Sequence, residues 1–283
     1  MTATFAIVAP GAMGAAIGAR LVSRGARVVT SLQGRGDASR RRAQAAGLID
    51  VSERDLMNAD LYLSIVPPAN AAEAAHRFAE LAVESSRQPP FIDLNAISPQ
   101  RAHAVANVVR ASGARFIDGG IIGLPPTPDS AGPTLYLSGP VGDAGERLRA
   151  HGVAVKELAG DIGAASALKM SYAGITKGMT ALGTAMILAA DRHGASEALH
   201  AELRASAAHV IQRLEKSIPD MLPKAWRWAP EMHEIADYLG DDFAEAGAFR
   251  AIAELYERIA DDAADQKVES SALLAFVQRA AGS

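Results

Sequence analysis

Apolar and polar positions change rhythm once along this chain. In the first half, short β-rich runs recur at Thr4–Ala9, Arg27–Thr30, Leu61–Val66, Pro90–Leu94, Arg115–Ile117 and Thr134–Ser138. Segments with helical spacing lie between them: Met13–Arg24, Arg40–Ala46, Ala69–Glu84 and Pro99–Ser112. Such alternation predicts crossover units and a mostly parallel sheet. The last two runs lie closer together and are free to pair differently. From about Gly160 onward no strand pattern remains. Apolar residues recur at helical spacing, as at Ile252, Leu255 and Ile259, and Gly194, Pro219, Pro223 and Pro230 are expected to punctuate the helices. The predicted architecture is an α/β Rossmann-type domain over residues 1–160, followed by an all-α domain over residues 161–283. No repeat or low-complexity tract interrupts it.

Composition narrows the function classes. A chain of 283 residues with 49% hydrophobic content can build about two cores. The net charge of -4 gives no footprint for a nucleic-acid partner. The absence of cysteine excludes disulfides, thiolate metal sites and a cysteine nucleophile. The N-terminus has no basic region of the signal-peptide kind. Ala164–Ala190 is the most apolar long stretch, but Lys169 and Lys177 interrupt it. The uncharged remainder, Gly178–Ala190, falls short of the roughly 20 residues a bilayer requires. A soluble, cytoplasmic protein without a membrane partner is expected.

The most informative short segment is Ala9-Pro10-Gly11-Ala12-Met13-Gly14, between the first strand and first helix. Dinucleotide folds carry G-x-G-x-x-G here; the glycines allow a tight turn, close approach of the pyrophosphate and helix–sheet packing. Ala9 stands at the first glycine position. Backbone N–H groups around Gly11, Ala12, Met13 and Gly14 would face the phosphates, aided by the helix dipole. A tight turn with no ligand is the plainer alternative; its place at the head of an alternating domain favours the nucleotide.

The end of the second strand bears on the choice of cofactor. NAD enzymes usually place a carboxylate there, on the ribose 2′-hydroxyl. Here Ser31-Leu32-Gln33-Gly34-Arg35 follows, with no acid before Asp37. Ser31 can donate to a 2′-phosphate and Arg35 can present its planar fork. Arg40, Arg41 and Arg42 begin the next helix, where one more can reach it or all can be solvated. NADP is the expected cofactor. The seven histidines form no H-x-x-x-H pair, and His233, near Glu231 and Glu234, reads as a solvated helix face, so no metal is expected.

These segments together resemble the β-hydroxyacid dehydrogenase superfamily, which includes 3-hydroxyisobutyrate and 6-phosphogluconate dehydrogenases. The resemblance covers nearly the whole chain. The first turn is similar to the family's G-x-G-x-M-G. Leu61–Pro68 resembles its strand and proline turn beside the nicotinamide ribose, which implies cofactor contacts from Val66 and Pro67. Phe91–Pro99 resembles D-x-S-T-x-S-P, with Asn95 where serine is common, and implies a cofactor role for Asn95. Trp228–Met232 is similar to a poorly characterised, phosphogluconate dehydrogenase-like branch.

Two departures concern the substrate. The family's G-x-G-x-x-x-K-x-x-N-N is represented by Gly163–Ala173: Gly163 and Lys169 match, Ala165 replaces a glycine, and Tyr172 and Ala173 replace both asparagines. The resemblance implies that Lys169 is the general acid/base and that residue 172 faces substrate. D-A-P-V-S-G-G is represented by Asp118–Leu124, which implies substrate contacts from Gly120, Ile121, Ile122 and Gly123. Ile122 replaces the serine and Leu124 the last glycine, so a bulkier, less acidic or more apolar substrate than a simple 3-hydroxy acid is expected.

The resulting expectation is an NADP-dependent oxidoreductase moving hydride between nicotinamide and a CH–OH carbon of a small polar substrate. An ordinary lysine is a weak base at neutral pH. Apolar cover from Ala165, Leu168, Met170 and the cofactor ring is expected to correct this. Lys169 reads less well as a snorkelling surface lysine, and Tyr172 serves substrate or packing about equally. Lys177 reads as structural, and Gly174 and Gly178 as aids to helix packing. A homodimer through the helical half is implied by the resemblance. The rivals are an imine reductase, a class that typically lacks the lysine, and a non-catalytic NADP-binding sensor.

Overall fold

The structure, a computed structural model, describes residues 2–127, 130 and 132–279. It divides into two compact units, Met1–Met170 and Ser171–Ser283.

The first unit is built on an eight-stranded sheet. Its strands are β1 (Thr4–Val8), β2 (Arg27–Thr30), β3 (Ile49–Asp50), β4 (Leu61–Ser64), β5 (Phe91–Asp93), β6 (Phe116–Ile122), β7 (Thr134–Ser138) and β8 (Ala154–Glu157), in the order β3-β2-β1-β4-β5-β6-β7-β8. All neighbours are parallel except β6 and β7, the two closely spaced runs, which are antiparallel. Helices α1 (Ala12–Ser23), α2 (Asp37–Ala45), α3 (Glu53–Leu56), α4 (Ala71–Glu84), α5 (Pro99–Ala111) and α6 (Ala144–Ala150) connect them. Central strands are apolar on both faces, as a sheet covered twice requires. Phe5, Ile7, Leu61 and Leu63 enter one core, while Ala6, Tyr62, Phe78, Phe91 and Phe116 enter the other.

Four of these elements, β3, β8, α3 and α6, go beyond the sequence expectation. Strand β3 has two residues, both exposed, and β8 buries only Val155. Edge strands this short and polar leave almost no alternation to read. Strand β6 is longer than the expected run because Asp118-Gly119-Gly120 is buried within it.

The second unit contains no strand among its described residues. It holds most of α7 (Ala164–Arg192), with α8 (Ser196–Ser206), α9 (Ala208–Met221), α10 (Ala225–Leu239), α11 (Ala244–Ala264) and α12 (Val268–Val277). Pro219 and Pro230 were expected at helix ends but lie inside α9 and α10. Burial of the surrounding apolar face, including Trp228, Met232 and Ile235 on α10, outweighs the lost backbone hydrogen bond. Side chains of neighbouring helices pack against the small residues of α7, as expected for Gly174 and Gly178. A Cβ at Gly174 or Gly178 would make ordinary contacts with Phe249, and at Gly183 it would press on the end of the Leu214 side chain. That end of Leu214, on α9, packs against α7 at Gly183.

Lys177 packs inside this unit. Its ammonium pairs with Glu231 and lies 4.8 Å from the centre of the Trp228 ring, and Tyr256 donates to its carbonyl at 2.7 Å. By length and composition α7 would also cross a bilayer; 44% of its most apolar stretch is buried in the protein. The central helix of a helical unit has the same composition.

Candidate active site

The turn after β1 has the shape a dinucleotide needs. Ala9 adopts φ +58°, a left-handed conformation that glycine takes up without strain, and its carbonyl accepts the Gly11 N–H at 2.7 Å. Gly11 then caps α1 in extended geometry, leaving the amides of Ala12, Met13 and Gly14 at the helix mouth with no acidic side chain in the first turn. A Cβ at Gly11 would meet nothing within 4 Å, so its face is open to a ligand. A Cβ at Gly14 would press on the Ala9 carbonyl at 3.2 Å, and at Gly18 it would be 2.8 Å from Leu48 Cδ1. The spacing thus resolves into one open position and two packed ones. Arg42 adds a cation beside the loop, donating to the Pro10 carbonyl at 3.1 Å.

Beyond β2 lies a cavity of about 330 Å³ lined by Ser31, Leu32, Gln33, Arg40, Asp50, Val51 and Ser52. The Ser31 hydroxyl is buried and has no hydrogen-bond partner among the described residues. Arg40 donates to the carbonyls of Leu32 at 2.8 Å and Arg35 at 3.0 Å, so it holds the turn that carries exposed Arg35. The orphaned hydroxyl and the neighbouring guanidinium fit the ribose end of a dinucleotide. Sequence reading missed Asp50. It arrives from β3, accepts the Leu32 N–H at 2.9 Å and puts a carboxylate in the same cavity.

A polar row crosses the sheet near its carboxyl edge. Ser64, Asp93, Asp118 and Ser138 are consecutive partners in register on β4, β5, β6 and β7. Next to it, Asn95 is buried with both ends of its amide engaged. It donates to Ser64 Oγ at 3.0 Å and accepts the Val66 N–H at 2.7 Å. Arg101 donates to the Pro68 carbonyl at 3.0 Å. Asn95 and Arg101 therefore hold the Val66–Pro68 turn from its flank. Asp93 Oδ1 accepts the Asn95 N–H at 2.8 Å, while Oδ2 is buried without a partner among the described residues. Burial pushes the Asp93 carboxyl up to about 7; the Asn95 N–H opposes this and the charge of Asp118 adds to it.

Lys169 lies in the second turn of α7. The start of that helix is received by Asp118, which is fully buried. Asp118 Oδ2 accepts the N–H groups of Gly163 at 2.9 Å, Ala165 at 3.0 Å and Ser166 at 3.1 Å, and the Ser138 hydroxyl at 2.9 Å. Asp118 Oδ1 accepts the Ser166 hydroxyl at 2.6 Å. Two residues along β6, Gly120 lies under the helix: a Cβ there would stand 3.0 Å from both Lys169 Cβ and the Ala165 carbonyl oxygen. Ala165 and Met170 beside Lys169 are buried, and Lys169 itself is half-buried. Tyr172, three residues further on the same helix, is half exposed. Ile121 is buried and Ile122 partly so, while Gly123 takes φ +125° against Pro133. Leu124 is exposed. No group of three or more His, Asp or Glu among the described residues is placed to hold a metal ion, and His233 is exposed, 4.0 Å from Glu257.

This fold and this phosphate turn define a pyridine-nucleotide-dependent oxidoreductase of the 3-hydroxyacid dehydrogenase type. The chain belongs to the β-hydroxyacid dehydrogenase superfamily: residues 4–144 match the NAD binding domain of 6-phosphogluconate dehydrogenase, and residues 190–259 match a domain of unknown function, DUF1932. No curated protein sequence matches the chain. Among solved structures, a conserved protein of unknown function with structural similarity to 3-hydroxyacid dehydrogenases is 26% identical, with TM-score 0.69 over 92% of this chain and 99% of its own. A Mycobacterium tuberculosis 3-hydroxyisobutyrate dehydrogenase, solved with L-serine, is 17% identical, with TM-score 0.73 over 99% and 100%. A Myxococcus stipitatus imine reductase variant, solved with NAD+, is 19% identical, with TM-score 0.57 over 96% and 100%.

Proposed function

We propose that this chain is a cytoplasmic, NADP-dependent dehydrogenase or reductase acting at the CH–OH or C=O carbon of a small polar substrate, with Lys169 as general acid/base. The observation that carries this reading is the seat of Lys169 on Gly120 of β6, two residues past the level at which neighbouring β5 ends, toward the carboxyl side of the parallel strands where dinucleotides lie in such sheets. The bound nicotinamide supplies the hydride acceptor or donor. Ala12, Met13 and Gly14 present N–H groups to the pyrophosphate, with Arg42 alongside. Ser31, with Arg35 on the turn that Arg40 holds, faces the adenosine 2′-phosphate. Val66 and Pro67 border the nicotinamide ribose.

During oxidation Lys169 Nζ takes the hydroxyl proton as the C–H hydride leaves with its electron pair and the C–O bond becomes a carbonyl. During reduction Lys169 returns that proton. Tyr172 hydrogen-bonds the substrate or orients the amine. Ile122 and Leu124, where relatives place the serine and last glycine of a small polar clasp, favour an ester, alcohol or other weakly acidic group over a bare carboxylate. A second copy of the chain covers the apolar face of α7 as a homodimer.

The test is a panel of short hydroxy acids, their methyl esters and secondary alcohols with NADP+ and NAD+, followed by the absorbance of reduced nicotinamide, in the wild type and in Lys169→Ala. The expected result is turnover with NADP+ that falls by about 100- to 10,000-fold in the variant while NADP+ affinity holds. Full activity of Lys169→Ala would favour the imine-reductase reading, which the imine reductase fold neighbour also fits. NADP+ binding without turnover of any compound would favour the sensor.

A further inference from the structure

Asp118 is a buried carboxylate that the chemistry above does not use. Its five hydrogen bonds go to two places. Ser138 on β7 reaches one oxygen, and Gly163 and the first turn of α7 supply the other four donors: the N–H groups of Gly163, Ala165 and Ser166 and the Ser166 hydroxyl. Ser138 also accepts the Ala165 N–H at 3.0 Å, which closes the network on itself. Amides at a helix start otherwise need a local cap. Here the cap comes from a strand more than forty residues earlier in sequence. A carboxylate is also the charge that a helix N-terminus favours.

The geometry links this cap to Lys169. Side chains two residues apart on a strand share a face, so Asp118 and Gly120 meet α7 from the same side of β6. Asp118 grips Ala165 and Ser166; Lys169 follows them by four and three residues, one helical turn on. Gly120 then receives Lys169 Cβ and the Ala165 carbonyl. Two contact points one turn apart fix both the rotation and the height of that turn. We infer that Asp118 is a positioning residue for Lys169: by capping α7 from β6 it sets where the lysine amine stands over the sheet edge. This rests on Lys169 being the general acid/base.

The probe is oxidation of the methyl ester of 3-hydroxyisobutyrate by NADP+, measured for the wild type, Asp118→Asn, Lys169→Ala and the double variant. Residual rates are read at high enzyme concentration, and thermal midpoints are recorded for all four. Asp118→Asn can turn its amide oxygen toward the helix N–H groups and its NH2 toward the Ser166 hydroxyl, so it is expected to fold. The expected loss in kcat is about tenfold, as misplacement of a reacting group costs, with KM and the NADP+ dissociation constant nearly unchanged. In the Lys169→Ala background the same substitution should cost less than about twofold, because its effect runs through the missing amine.

An equal loss in both backgrounds, or a loss confined to KM or cofactor affinity, overturns the inference. If Asp118→Asn does not fold, Ser138→Ala is read in the same cycle, with an expected kcat loss of about threefold that vanishes without Lys169. Undiminished turnover in Lys169→Ala, or no turnover by any variant, sinks the underlying reading instead, and the inference with it.

Discussion

Gly120 on β6 lies beneath Lys169 on α7 so closely that a Cβ at the glycine would stand 3.0 Å from the lysine Cβ. Gly120→Ala should therefore lift the first turns of α7 by a few tenths of an ångström. The Ala165 carbonyl, a backbone group at the same distance, cannot swing aside. The expected stability cost is about 1–2 kcal/mol, typical of overpacking. Turnover should fall by about tenfold or more while NADP+ binding holds. Steady-state kinetics with a denaturation curve would check both; a stable, fully active variant would show that the lysine tolerates displacement.

Cofactor preference should respond in opposite directions to groups around one cavity. Arg35→Ala removes a charged donor and Arg40→Ala releases the turn that carries it, so both should weaken NADP+ relative to NAD+, the first by about 1.5–3 kcal/mol. Asp50→Asn removes a carboxylate from the cavity and should shift the preference further toward NADP+. Titration calorimetry with both cofactors measures each change. Equal affinities in the wild type would remove the premise.

Helix α7 exposes Tyr172, Ile175, Met179, Leu182 and Met186, spaced alternately three and four residues apart. That spacing is the seam by which one helix packs along another. Leu182→Glu should split the expected homodimer into monomers while the helical content stays constant. Light scattering at micromolar concentration with circular dichroism decides this. A wild-type chain that is already monomeric contradicts the dimer.

Asp93 should make stability depend on pH. Its folded carboxyl titrates at about 7 against an ordinary 3.8. Between those values the folded chain keeps a proton that the unfolded chain has released. Stability from this group is therefore highest below pH 4, falls as pH rises through the window, and is fully lost above about pH 7. The range is about 2–4 kcal/mol. Asp93→Asn should flatten that slope, even if its buried amide lowers stability at every pH by a constant amount. Urea unfolding of both proteins at pH 5 and pH 8 gives the difference; identical slopes would count against a raised Asp93.

Ala9 holds φ +58° in the turn that opens the phosphate loop. An alanine there costs about 1 kcal/mol that glycine avoids, and glycine returns part of this through its freer unfolded chain. Ala9→Gly should raise stability by about 0.5 kcal/mol and leave cofactor affinity unchanged or improved. A lower thermal midpoint in calorimetry would mean that the Ala9 methyl packs usefully.

Much of this protein is written in local pattern. Alternating strands and helices gave the parallel sheet and Gly11 and Gly14 gave the loop, while the position of Gly163 and Lys169 came from the family resemblance. Such signals are legible because backbone geometry and phosphate approach restrict residue type within a few positions. What only the tertiary structure decided depends on groups distant in sequence. Asp50 enters the cavity beyond β2 because β3 pairs with β2, and a two-residue edge strand carries no periodic signal. Asn95 holds Val66, and Asp93 stands beside Asp118, because β4, β5 and β6 align in register. Asp118 caps α7 from the sheet, a partnership set by burial and unmet backbone N–H groups rather than by any spacing along the chain. Hydrogen bonds across such separations follow from which strands become neighbours, and that is settled only when the cores close.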